Sequence, residues 1–112
     1  MLRIWAIEGR NEQRLVLEGK LIVPWTTEVR SACEKARQKL EGRDLVIDLR
    51  DLTVISEQGE DLLATLIREG VRFRARGVFA KHVLRQVARR PDAQLARGGF
   101  SLTNGPVEGS GN

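Results

Sequence analysis

The chain has 112 residues, 41% apolar and 30% charged, the balance of one globular domain and neither a disordered tail nor a membrane protein. Its single cysteine, Cys33, and single histidine, His82, exclude an internal disulfide and leave too few thiol and imidazole ligands for zinc, so no metal or cofactor is expected. The formal charge of +4 and pI near 10.0 admit acidic or nucleic-acid partners. No apolar run approaches the roughly 18 residues of a bilayer span, and the Met1-Leu2-Arg3-Ile4-Trp5 start lacks the regions of a secretory leader. A cytoplasmic location without membrane insertion is therefore expected.

Leu2 to Glu8 and Arg14 to Glu18 read as two short strands joined by the polar loop Gly9-Arg10-Asn11-Glu12-Gln13, which suits a hairpin. In the second, Leu15 and Leu17 alternate with Arg14 and Glu18. Only Val16 breaks the one-sided pattern, which predicts a strand whose second face is partly covered. After Gly19 and Pro24, Trp25, Val29, Ala32, Cys33, Ala36 and Leu40 recur at offsets of three and four, the stripe of an amphipathic helix. Glu28 early and Lys39 late suit its dipole, and Gly42 marks its end.

The run Leu45-Val46-Ile47-Asp48-Leu49 is short, apolar and rich in β-branched residues, a central strand buried on both faces. A second helix follows. Ser56 is its N-cap, Glu57, Glu60 and Asp61 place acid in the first turn, Leu62, Leu63, Leu66 and Ile67 form the buried stripe, and Gly70 closes it. Val71, Phe73 and Ala75 then alternate with Arg72, Arg74 and Arg76, the period of a strand with one face buried. Beyond Gly77, Val83, Leu84, Val87 and Ala88 restore helical spacing until Pro91.

The order strand, strand, helix, strand, helix, strand, helix predicts an α/β domain with a four-stranded mixed sheet, and right-handed crossovers place its helices on one side. The domain is expected to occupy residues 1–97. Residues 98–112, rich in Gly with one Pro and two Ser, are expected to form a flexible tail.

Catalysis needs convergent nucleophile and base, paired carboxylates or a metal cluster, and none is evident, so no catalytic residue is assigned. His82, between Lys81 and Arg85 without an orienting acid, reads as a solvated residue at a helix start. Asp48 and Asp51 flank the end of the central strand and read as turn-forming residues as readily as an acid pair. Cys33 and Trp25 read as core residues.

Basic residues gather late in the chain, at Arg68, Arg72, Arg74, Arg76, Lys81, Arg85, Arg89, Arg90 and Arg97. Arg72, Arg74 and Arg76, about 6 to 7 Å apart along one strand face, form a candidate anion-binding row for phosphates or carboxylates. Single-strand nucleic-acid readers add aromatic platforms, and this strand offers only Phe73 on its buried face. Protection of an exposed sheet face or edge by charge is thus the favoured role, and nucleic acid the disfavoured one.

Three segments, in this order, resemble the STAS domain family as far as Arg90. LVLEGKLIVPWTTEVR is similar to the family's second strand, its Leu-x-Gly-x-Leu turn and the start of its first helix. LVIDLRDLTVISEQGEDLL resembles a buried strand ending in Asp-Leu, a loop, and Asp-Ser-Ser-Gly at a helix start. VRFRARGVFAKHVLRQV resembles the last strand and the short helix after it.

The resemblance implies an anti-sigma factor antagonist, or anti-anti-sigma factor, acting in transcription regulation and signal transduction by protein binding and not by catalysis. Its partner would be an anti-sigma factor, a serine kinase or another STAS-type protein, with homodimerisation left open. In the family's best-known members the first serine of Asp-Ser-Ser-Gly is phosphorylated by the kinase partner, and the complex breaks. Ser56, Glu57, Gln58 and Gly59 occupy those places here, which puts Glu57 at the phosphoacceptor position and implies a partner-binding set of Ser56, Glu57, Gln58, Gly59 and Glu60.

A glutamate supplies one charge where phosphoserine supplies about −1.5 to −2, a partial mimic. Equally, unpaired amides favour any carboxylate in a first helical turn, and both readings of Glu57 stand. Ser56 is better explained as a cap than as a displaced phosphoacceptor. The alternatives are a STAS subunit of a transport or signalling assembly and a basic nucleic-acid-binding domain.

Overall fold

Strands β1 (Leu2–Glu8) and β2 (Glu12–Leu21) pair antiparallel as the expected hairpin. Helix α1 (Trp25–Arg37), strand β3 (Asp44–Ile55), helix α2 (Glu57–Arg68), strand β4 (Arg72–Ala75) and helix α3 (Val78–Ala88) follow, then a 3-10 turn at Pro91–Ala93. The computed structural model describes residues 1–93. The expected tail at 98–112 and the last four residues assigned to the domain, 94–97, lie outside the described residues.

The sheet order is β1-β2-β3-β4, with β2, β3 and β4 parallel. α1 and α2 carry the two parallel crossovers, which need a connection of this length. Leu15 and Leu17 of β2, Ile47 and Leu49 of β3, and Phe73 of β4 share one core cluster with Val29 and Cys33 of α1, Leu63 and Leu66 of α2, and Leu84 and Val87 of α3. The helices therefore cover one face of a mixed four-stranded sheet, as expected. Burying one large apolar side chain of this kind contributes about 1.5–3 kcal/mol. Among the described residues no helix is long and apolar enough to cross a membrane.

Two strands run further than their sequence pattern predicts. β2 continues through Gly19 to Leu21, and β3 continues through Arg50–Ile55, which the resemblance assigned to a loop. The two extensions hold each other as strands, because Glu18–Leu21 pairs in parallel with 51–55. Their register slips between Leu17 and Glu18 and again between Gly19 and Lys20. Gly19 has φ +112°, and a Cβ there would stand 2.5 Å from Met1 O, so the slip needs glycine.

Asp48 consequently lies in the middle of a strand and is fully buried, which corrects its assignment to a strand end. α1 ends at Arg37, so Lys35 and Arg37, not Lys39, occupy its last turn. Val16 and Val46 are buried on the face away from the helices, and that second face is partly covered as the sequence predicts.

Candidate functional site

The amino end of α2 is built by two residues that serve the fold. Ser56 sits in extended conformation, and its Oγ accepts the N–H of Gly59 at 3.1 Å, the expected N-cap. The Ser56 N–H donates to Leu21 O at 3.1 Å, which ties the cap to the end of β2. Gly59 is buried against that same strand end. A Cβ on it would lie 2.5 Å from Leu21 O and 2.8 Å from Ile55 Cγ1, so only glycine lets the helix approach so closely.

With the turn pinned from beneath, Glu57 and Gln58 are exposed, and Ser56 and Glu60 are half-buried. Of the five residues implied for partner binding, Gly59 alone is inaccessible, and its contribution is to position the others. Gln58 also lines an open groove of about 370 Å³ between α1 and α2, with Thr26, Thr27, Arg30, Asp61 and Thr65. Val23 and Val54, each two residues from the hydrogen-bonded Leu21–Ser56 pair, are exposed apolar side chains bordering the acidic turn. A negative turn next to apolar surface and a polar groove suits recognition of a protein segment.

The opposite face of the sheet holds a second cluster that sequence reasoning missed. Asp48 is 0% exposed, and Arg14, Arg50 and Arg76 place guanidinium nitrogens 3.7, 3.6 and 3.7 Å from its Oδ2. These distances exceed hydrogen bonding, and neither Asp48 oxygen has a hydrogen-bond partner among the described residues. Arg50 is the extra residue at the slip between β2 and β3, and its guanidinium lies 3.6 Å from Asp48 and 5.9 Å from the centroid of the Trp5 ring.

The predicted arginine row meets acids of its own chain. Arg72 bonds Asp44 at 3.1 Å, Arg74 bonds Glu12 at 3.0 Å, and Arg76 approaches Asp48. Glu12 is held in addition by Arg14 at 2.7 Å. Arg72 and Arg74 lie on a four-residue edge strand, where charge protects against pairing with other chains, and Arg76 lies just past its end. The signal for this cluster was strand phase: Arg14, Asp48, Arg50 and Arg76 all fall on the outward phase once the three strands are aligned.

Two residues considered for chemistry lie elsewhere. His82 is exposed on α3. Cys33 is buried in the core, and burial pushes its thiol up to about 11, which leaves little thiolate for reaction at neutral pH.

No family model and no curated protein matches the sequence. Among solved structures, the chain is similar to an uncharacterised protein of the DUF3478 family from Shewanella loihica PV-4, described as having a SpoIIAA-like fold. The two superpose with a TM-score of 0.57 at 16% identity, over 93% of this chain and 86% of that one. Identity at that level speaks to architecture. The chain has the SpoIIAA-like fold, the fold of STAS-type anti-sigma factor antagonists.

Proposed function

We propose that the chain is a non-catalytic regulatory module of the anti-sigma factor antagonist type, working in the cytoplasm by docking an anti-sigma factor or a serine kinase. The docking surface is the first turn of α2, with Glu57 and Gln58 as its contacts, Ser56 and Glu60 at its border and the groove beside α1 as its extension. The observation that carries this reading is the division of labour in that turn: Ser56 and Gly59 are used to fix it on the sheet, while Glu57 and Gln58 are left to solvent.

Glu57, at the position where the resemblance puts a phosphoserine, gives the surface a permanent negative charge. Its partner therefore meets one constant surface, and the charge is not removed by a phosphatase or added by a kinase at that residue. Affinity capture from the native cytoplasm tests this, comparing the unmodified chain with Glu57→Ser and Glu57→Lys. Charge reversal is expected to reduce capture of the specific partner at least tenfold, the scale of about 1.4 kcal/mol for one lost or reversed contact. Identical sets of captured proteins for all three chains would refute the surface.

A further inference from the structure

The two edges of the sheet are unlike. β4 has four residues and carries Arg72 and Arg74, whereas β1 has seven, contains neither Pro nor Gly, and pairs with β2 in an unbroken register. Its middle, Ile4-Trp5-Ala6-Ile7, bears no charge. An edge of this kind is a template for another strand.

The hairpin fixes which backbone groups are on offer. Lys20 N–H donates to Met1 O at 3.2 Å and Gly9 N–H to Glu12 O at 2.8 Å, one bond at each end of the ladder between β1 and β2. Odd-numbered residues of β1 therefore turn their N–H and C=O toward β2, and Leu2, Ile4, Ala6 and Glu8 turn theirs outward. The side chains of these same four residues fall on the helix side of the sheet, where cover is incomplete. α1 packs on β2 and leaves an open groove of about 240 Å³ beside β1, lined by Ile4, Ala6, Leu15, Ala32 and Ala36 among others. Leu2 is buried, but Ile4 is only half-buried and Ala6 is exposed.

We infer that two copies of this chain pair antiparallel through β1, with the two-fold axis at Trp5, and so join their four-stranded sheets into one.

One register fits best. Keeping the helices of both copies on the same side requires even residues to face even ones. Centring on Trp5 then overlaps the whole strand: Leu2 meets Glu8 of the second copy, Ile4 meets its Ala6, and the reverse pairs follow, about eight backbone hydrogen bonds at two per pair. Moving the axis to Ile4 or Ala6 leaves about six. The Trp5 register also keeps like charges apart, because Arg3 falls opposite Ile7 and neither Arg3 nor Glu8 meets its own kind. On the helix side, Ile4 and Ala6 of one copy close against Ala6 and Ile4 of the other, and the two grooves are shielded together. On the outer face each Trp5 ring keeps its own Arg3 and Arg50, so the apolar part of the seam is the helix side.

A two-fold seam uses up both β1 edges. The outer edges of the joined sheet are then two β4 strands, short and arginine-bearing, and growth stops at two copies. The seam shares no residue with the first turn of α2, so this inference and the proposed protein docking stand or fall separately.

Sedimentation equilibrium of the full chain tests the inference. A seam of one strand pair is small, so dimers are expected at about 100 μM chain and single chains near about 1 μM. Ala6→Lys charges a position that is already exposed and should weaken association about tenfold or more. Ala6→Pro removes an outward N–H and no bond to β2, and should do the same while far-UV circular dichroism stays unchanged. Glu57→Lys should leave association as it is. On oxidation, Trp5→Cys chains should link to one another, since Cα atoms opposed on the axis stand about 4.5 Å apart. Arg3→Cys chains should link to Ile7→Cys chains mixed with them and not to themselves. A single-chain mass at about 100 μM, growth beyond two copies, undiminished association of the Ala6→Lys chain, or Arg3→Cys chains that link to themselves as readily as to Ile7→Cys chains would each overturn the inference.

Discussion

Adding one methyl group to Gly59 tests whether α2 is pinned to the sheet as described. In Gly59→Ala the new carbon would lie 2.5 Å from Leu21 O, 2.8 Å from Ile55 Cγ1 and 3.1 Å from Leu21 Cγ. The first of these is backbone, and its oxygen already accepts the Ser56 N–H, so the strand end cannot move aside without loosening the cap. Overpacking of this kind costs about 1–3 kcal/mol. Weakening the Ser56 cap adds up to about 1 kcal/mol, and the better helix propensity of alanine returns a similar amount. The net expectation is a loss of about 2 kcal/mol, which for a domain of this size lowers Tm by roughly 8–15 °C. Urea unfolding followed by far-UV circular dichroism measures it. A Gly59→Ala chain as stable as the unmodified one would show that the helix start does not press on β2, and the placement of Glu57 would lose its basis.

Three further outcomes follow from the electrostatics and burial. Asp48→Asn should lower stability by about 1 kcal/mol in urea unfolding, since it removes the buried anion that three arginines share while the guanidiniums left behind can turn to water; an unchanged midpoint contradicts the cluster. Burial acts to raise the Glu69 carboxyl, but hydrogen bonds from Arg37 and Arg30 outweigh it and hold the group below its ordinary 4.5. A depressed folded-state value gives stability that is present above the ordinary value and lost as pH falls through the folded one. The Tm difference between the unmodified chain and Glu69→Gln should thus shrink as pH falls below 4.5, and a difference that grows on acidification contradicts the pairing. Cys33 should resist iodoacetamide in the native protein and react on unfolding; rapid labelling of the folded chain contradicts its burial.

Local chemistry was legible in the sequence wherever a side chain acts within its own turn. Ser56 could be read as a cap because its acceptor serves an amide three residues on, and the limits of β1 follow from the polar loop after Glu8. Strand phase made Val16 and Phe73 legible as buried residues. What escaped depends on pairing between distant segments. Gly19 reads as a turn residue, yet it lies within a strand because Met1 and β3 close around it. Asp48 reads as a strand-end acid, yet Arg14 on β2 and Arg76 just past the end of β4 reach it from either side. Trp5 shows its partners only when the sheet order places Arg50 near its ring.

Amide hydrogen exchange, comparing the free chain with its complex with the captured partner, tests the docking account most directly. Protection gained over residues 54–62, at the end of β3 and the first turns of α2, is the predicted result. Protection confined to α3 or to the hairpin of β1 and β2, with the Glu57 turn exchanging as in the free chain, would contradict it.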